Sequence, residues 1–112
     1  MSQFLIALHR PYGHAPLADD LAMHRDIDAL NNEMVAAGVR VFVGGLKPID
    51  LATTLILTSE GSVEVREGAY LQVGEFVDGF WVVEVASREE ALQWGRKAAR
   101  ACRANVEVRP FH

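Results

Sequence analysis

Hydrophobic and polar residues alternate with two different periods along this chain. Apolar runs over Phe4–His9 and Phe80–Val85 contain aromatic and β-branched residues, with Glu84 as the one charged member of the second run. The second run is typical of a strand that is buried on both faces. The segment Ser62–Arg66 instead alternates valine with charged residues, which predicts a strand with one buried and one exposed face.

Two other stretches show the period of an α-helix. The first is predicted from Leu21 to Ala37 and closed by Gly38, which favours the left-handed conformation that ends helices. Its buried stripe is formed by Met23, Ile27, Leu30 and Met34. The second is predicted from Arg88 to Cys102, where Ser87 and Glu90 form a capping box. Its inner face is predicted to consist of small residues and one leucine: Ala91, Leu92, Gly95, Ala98, Ala99 and Cys102.

The remaining strands complete a recognisable order of elements. They are predicted over Val39–Val43, Thr53–Thr58 and Asn105–Arg109, and Thr53–Thr58 pairs with the next strand as a hairpin. The resulting order is β-α-β-β-α-β with an extra hairpin, which indicates an α+β, ferredoxin-like fold in one domain spanning residues 1–112. Two helices cover only one face of such a sheet. The other face is still apolar, so a homodimer packed sheet on sheet is predicted.

Composition restricts the classes of partner and location. Half of the residues are hydrophobic and the net charge is −4. An acidic chain is a poor match for nucleic acid, because phosphate binding needs a basic surface. The segment MSQFLIALHR has neither the basic start of a signal peptide nor the length of a membrane span, so a cytoplasmic protein without membrane contact is expected. The single cysteine, Cys102, excludes an internal disulfide.

His24 and Asp28 are the first candidate pair for chemistry. They lie four residues apart in the first predicted helix, a spacing that lets two side chains touch. Imidazole titrates near neutral pH and a carboxylate fixes its tautomer, as general acid–base catalysis requires. The alternative is a half-exposed helix histidine beside an ordinary helix charge.

A second set of candidates flanks the central strand. Glu67, Tyr70 and Glu75 lie in a turn-rich segment, where carboxylates beside a phenol suit a small polar ligand. The alternative is turn chemistry with solvated acids. Arg109 ends the last strand and either binds a ligand carboxylate or forms a structural ion pair.

Metal and cofactor sites are not predicted. His9, Tyr12 and His14 cluster around the first loop, but they lack the spacing of a metal motif with a defined carboxylate. Phosphate loops and dinucleotide fingerprints are also missing from the sequence, so no cofactor is expected.

The turn-rich segment resembles a known family. Glu67-Gly68-Ala69-Tyr70, followed by Glu75 and Gly79-Phe80, is similar to the Asp-Gly-Pro-Phe segment of the YCII-related domain, in its DGPF subfamily. Further matches are Ala36-Ala37-Gly38, Gly45-Leu46 with Pro48, Thr53-Thr54, Glu90-Ala91-Leu92 with Trp94, and Glu107-Val108-Arg109-Pro110. Four positions depart from the family pattern: Glu67 replaces Asp, Ala69 replaces Pro, Tyr70 replaces Phe, and Gly74 replaces the Lys before Glu75.

The resemblance implies a dimeric α+β barrel with a cleft between helices and sheet. Related barrels include muconolactone isomerases and cofactor-independent monooxygenases. Some family members resemble small enzymes with a histidine–aspartate pair, and DGPF members are associated with sigma-factor regulation in bacteria. We therefore expect a small cofactor-independent lyase or isomerase acting on a small organic molecule. His24 would be the base, Asp28 or Glu67 would assist it, and Tyr70 or Arg109 would hold an anionic group. The alternative is a non-catalytic ligand-binding or regulatory module.

Overall fold

The computed structural model describes residues 1–13 and 20–112, so His14 of the first loop lies outside the described residues. The elements follow one another as β1 (Ser2–Pro11), α1 (Leu21–Ala36), β2 (Arg40–Gly45), a single 3₁₀ turn (Ile49–Leu51), β3 (Thr53–Leu57), β4 (Val63–Glu67), β5 (Glu75–Val85), α2 (Arg88–Cys102) and β6 (Asn105–Pro110).

Four strands form one sheet in the order β2-β5-β1-β6, and each neighbouring pair is antiparallel. Among the described residues, the strands β3 and β4 pair only with each other, as a hairpin inserted between β2 and β5. With the hairpin set aside, this is the strand order of a ferredoxin-like sheet. The predicted α+β fold is therefore confirmed.

Both helices pack on one face of the sheet, and the core lies between them and that face. On β1 the alternate residues Phe4, Ile6 and Leu8 are buried there, as the two-residue period of a strand requires. The facing strands and helices add Trp81, Val83, Val85, Leu30, Met34, Ala91, Trp94, Ala98 and Cys102 to the same cluster. In the described part of the chain, neither helix has the length and hydrophobicity needed to cross a bilayer.

Local sequence signals set the ends of both helices. The Asp20 carboxylate accepts a hydrogen bond from the Met23 N–H (2.8 Å), and the Ser87 hydroxyl accepts one from the Glu90 N–H (3.2 Å). Each bond satisfies a backbone donor that the first helical turn leaves unpaired. Gly38 follows α1 with a φ of +70°, so the predicted left-handed stop is confirmed, although α1 ends one residue earlier than expected.

The central strand begins at Glu75 rather than Phe80, which corrects the sequence-based boundary. Glycine disfavours strands, so Gly79 indicates a turn when the sequence is considered alone. In the sheet, a side chain at Gly79 would bring its Cβ within 2.9 Å of the Gly44 carbonyl oxygen. Glycine therefore permits the close approach of β2 and β5, so that β2 continues beyond Val43 and β5 begins before Phe80.

The small-residue face of α2 lets that helix lie against β6. A Cβ at Gly95 would be 2.7 Å from the Val108 Cγ2 atom. Two residues of the predicted inner face, Leu92 and Ala99, are only half-buried, and Trp94 is buried beside Gly95 instead. Helix α2 therefore turns its Trp94 side toward the core more than predicted, and Gly95 permits its close approach to β6.

We predict that Gly95→Leu lowers the free energy of unfolding by about 1–3 kcal/mol, because the added side chain overpacks the contact with Val108. Urea denaturation measures this change. Gln93→Leu is the matched control, since Gln93 is exposed on the same helix. Equal stability of the two variants would contradict the close packing of α2 on β6.

Candidate functional site

A pocket of about 610 Å³ opens at the base of the hairpin. It lies where β2 stops at Gly45 and β5 continues beside the loop that leads into the hairpin. Its walls are formed by residues 46–49 and 51–52, by Thr53 and Thr54, by residues 69–71 and by residues 75–77. This volume falls within the range of about 300–1,000 Å³ that is usual for small-molecule sites.

Hydrogen bonds join the segments that wall this pocket. The Leu46 N–H donates to the Asp78 carbonyl (2.8 Å), which fixes the loop against β5. The Gly68 N–H donates to the Ala52 carbonyl (2.7 Å), and the buried Thr54 hydroxyl donates to the Gly68 carbonyl (2.8 Å). Gly68 has a φ of +98°, which favours glycine, so this residue turns the chain out of β4 toward the pocket.

The pocket lining is mainly apolar, with three larger polar side chains. The apolar members are Leu46, Pro48, Ile49, Leu51, Ala52, Ala69, Leu71, Phe76 and Val77. The larger polar members are Lys47, Tyr70 and Glu75. Within the described residues no ion pair joins Lys47 to Glu75, and Glu75 accepts a hydrogen bond from the Asn105 amide (3.3 Å). The lining therefore offers an apolar surface together with one cation, one phenol and one carboxylate.

The structure brings together two of the six predicted site residues. Tyr70 and Glu75 line the same pocket, as the turn-rich segment suggested. Glu67 is the last residue of β4, exposed and opposite Thr53, so it borders the pocket without lining it. Sequence reasoning missed Lys47 as a site residue. The sequence feature that could have identified Lys47 is its position in the loop that precedes the hairpin.

The predicted acid–base pair lies elsewhere. His24 and Asp28 are both exposed on α1, and no hydrogen bond or ion pair joins them in the described part of the chain. Neither lines the hairpin pocket. Asn31, on the same flank of α1, accepts a hydrogen bond from the Trp81 indole (2.9 Å). That flank therefore contacts the core at Asn31 rather than at the histidine, and the catalytic role of His24 and Asp28 stays a prediction.

Arg109 lies on β6, opposite Leu5, on the sheet face away from the helices. Its nearest ionic partner is Glu107, at 3.9 Å between Nε and Oε1, and both side chains are mostly exposed. Its role in ligand binding also stays a prediction. Among residues 1–13 and 20–112, no group of three or more His, Cys, Asp and Glu side chains is arranged to hold a metal ion.

An ion pair between a buried arginine and a half-buried aspartate supports the wall of the pocket. Arg10 is 7% exposed, and its Nε donates to the Asp78 carboxylate at 2.9 Å. Its Nη1 donates to the Cys102 carbonyl at 3.2 Å, so the guanidinium also binds the end of α2. Sequence reasoning missed this residue, although Arg10 is in phase with the inward-facing Ile6 and Leu8 and therefore points to the helix side.

Asp78 connects this ion pair to the pocket. It is the extra residue of a β-bulge, because Leu8 pairs with Gly79 whereas His9 pairs with Val77. Bulges redirect a strand locally, and here the residues that precede the bulge line the pocket. We therefore regard Arg10 and Asp78 as positioning residues, which hold the start of β5 in place.

Cys102 lies beside this ion pair and is buried. Burial raises the pKa of the Cys102 thiol, while the Arg10 guanidinium partly opposes that shift. The thiolate is the reactive form of cysteine, so a raised pKa disfavours nucleophilic chemistry near neutral pH.

Comparisons with known proteins identify relatives of this chain. A sequence model of the YCII-related domain matches residues 4–112. The chain is also similar to an uncharacterized protein of Rhizobium meliloti (strain 1021), with 33% identity over 95 residues. That alignment covers 83% of this chain and 76% of the relative.

We predict that Asp78→Ala lowers the free energy of unfolding by about 2–4 kcal/mol, because it leaves the Arg10 charge buried without its partner. Combining it with Arg10→Met should cost less than the sum of the two single changes, since the double variant leaves no unpaired charge. Chemical denaturation of the four proteins measures this coupling.

The matched control for this ion pair is Glu107→Ala, which removes an exposed partner of Arg109 and should change stability by less than about 1 kcal/mol. Strict additivity of Arg10→Met and Asp78→Ala would show that the two side chains do not stabilise each other.

Proposed function

The chain belongs to the YCII-related domain family, and we propose that it binds a small organic molecule in the pocket at the base of its hairpin. The supporting observation is the combination of volume and lining: about 610 Å³, largely apolar, with Lys47, Tyr70 and Glu75 as the larger polar groups. Pockets of this kind bind ligands through apolar contact and use a few polar groups to orient them.

The lining also indicates the chemistry of the ligand. Apolar side chains such as Leu71 and Phe76 suit a hydrophobic body, and the Lys47 ammonium suits an anionic group. The Tyr70 hydroxyl adds a donor and an acceptor, and Glu75 accepts hydrogen bonds. We therefore propose an amphipathic anion, such as an aromatic or aliphatic acid, as the class of ligand.

Binding is favoured here over acid–base catalysis. A general base needs a neighbouring group that orients it and a substrate within hydrogen-bond reach. His24 and Asp28 are exposed, do not bond to each other and do not line this pocket. A lyase or isomerase activity based on His24 is a separate hypothesis, and His24→Ala would abolish such an activity without weakening ligand binding at the hairpin. A regulatory role, including one in sigma-factor control, would use ligand binding as its signal.

We also propose that the chain forms a two-fold homodimer through the sheet face opposite the helices. That face carries six apolar side chains: Leu5, Ala7, Phe42, Val77, Phe80 and Val82. The rings of Phe42 and Phe80 lie 5.8 Å apart between centroids and form its aromatic centre. An apolar sheet face opposite the helices is typical of an interface, and a two-fold axis pairs it with itself.

We predict that the pocket binds 8-anilinonaphthalene-1-sulfonate, a fluorescent probe with an aromatic body and an anionic group. Ala69→Phe should weaken the affinity at least about tenfold, because the added ring occupies space needed for burying the probe. Lys47→Met should weaken it less, because only the contact with the sulfonate is lost. Fluorescence titration measures both affinities.

The control for this titration is Ala22→Phe, which adds the same ring to an exposed position on α1. Unchanged affinity in Ala69→Phe would contradict binding at the hairpin pocket and would place the probe on another apolar surface.

We predict that Val82→Glu converts the dimer to a monomer of 12.3 kDa, because it buries an unpaired carboxylate in the centre of the interface. Light scattering measures the mass. Gln93→Glu adds the same charge on the exposed side of α2 and should leave the dimer intact. A Val82→Glu variant that remains dimeric would exclude this sheet face as the interface.

A further inference from the structure

The hairpin formed by β3 and β4 has one charge-free apolar surface. The cross-strand pairs Leu55–Val65 and Leu57–Val63 lie on the same side of this ribbon, because they are two residues apart along each strand. Their side chains are 56–73% exposed. We call these four residues the hairpin face. The opposite side carries the pair Ile56–Glu64 and is partly charged.

The hairpin pairs with no other strand of the chain that the structure describes. A two-stranded ribbon is marginally stable in water unless its apolar side is covered. The molecule is also extended: its Cα radius of gyration is 16.0 Å, with a longest dimension of 48 Å. A compact domain of this length has a radius of gyration of about 13 Å. Within this protomer the hairpin face therefore remains exposed to solvent.

The proposed sheet interface is small without the hairpin. Of its six apolar side chains, only Phe42 (54%) and Val77 (39%) are more than about a third exposed, and Ala7 is buried. A stable dimer buries on the order of 800 Å² on each partner. The four side chains of the hairpin face would supply further apolar area to such an interface.

Charge also favours a second copy as the occupant of this surface. The chain has a net charge of −4, so two copies repel each other wherever their acidic surfaces approach. The hairpin face has no charge between Glu67 at its base and Glu60 near its tip. Two copies can therefore bury this face without desolvating or opposing like charges.

We propose that the hairpin face packs against a second copy of this chain and forms part of the homodimer interface. This inference rests on the homodimer proposed above and is independent of ligand binding. Each hairpin then acts as an arm that extends the contact between the two sheets.

Thiol labelling of variants with one added cysteine tests this contact at residue resolution. Val65→Cys and Glu64→Cys place a thiol on opposite sides of the same strand, and both positions are exposed in the protomer. The native Cys102 is 1% exposed, so its reaction with 5,5′-dithiobis(2-nitrobenzoate) is slow background. In the dimer Val65→Cys should react at least about tenfold more slowly than Glu64→Cys, because only the former is covered.

Dilution below the dissociation concentration, or the added Val82→Glu change, should bring the two labelling rates together. Leu57→Cys, from the other cross-strand pair, should be labelled as slowly as Val65→Cys. It replaces Val65→Cys in the experiment if that variant misfolds. Equal rates in a protein that is dimeric by light scattering would overturn the hairpin contact and leave the sheet interface standing. A wild-type protein that is monomeric at every concentration would overturn both proposals, whereas probe binding at the pocket would be unaffected.

Discussion

A four-stranded sheet has two faces to cover, and this chain supplies helices for one. The helices α1 and α2, of 16 and 15 residues, pack on the face that carries Ile6, Trp81 and Val83. The opposite face carries phenylalanine, valine and leucine side chains together with a few charged ones, among them Glu84 and Arg109. Burial of apolar surface is the main favourable term in folding and association. The sheet face without helices is therefore expected to associate with another apolar surface.

The interior ion pair links the fold to the pocket. Arg10 occupies an inward-facing strand position and is neutralised by Asp78, the bulged residue of the neighbouring strand. Removing a charge from water is tolerable only with a partner and further hydrogen bonds, which the carbonyl of Cys102 helps to supply. The bulge therefore places Asp78 against Arg10, and it also redirects the strand segment that lines the pocket.

Sequence patterns predicted the elements well where the signal is local. Helix caps at Ser87 and Gly38, the hairpin and the order of elements along the chain all follow from spacing within a short window. The start of β5 was missed because Gly79 is chosen for a contact with β2, which is distant along the chain. Considered in the sequence alone, Gly79 indicates a turn, and only its contact with β2 explains why glycine is needed within the strand.

The candidate site was only partly predictable for the same reason. Tyr70 and Glu75 are close in sequence to the family-like segment, so their shared location followed from the resemblance. Lys47 and Arg10 act through contacts that depend on strand pairing, which no short window contains. His24 shows the converse, since helical spacing places it near Asp28 without specifying what either side chain faces.

The uncovered apolar surface is the central claim of this account, and sedimentation equilibrium of the wild-type protein tests it most directly. The account predicts a mass that rises with concentration from 12.3 kDa toward twice that value and stops there, as a closed two-fold assembly requires. A mass that stays at 12.3 kDa at the highest attainable concentration would contradict it.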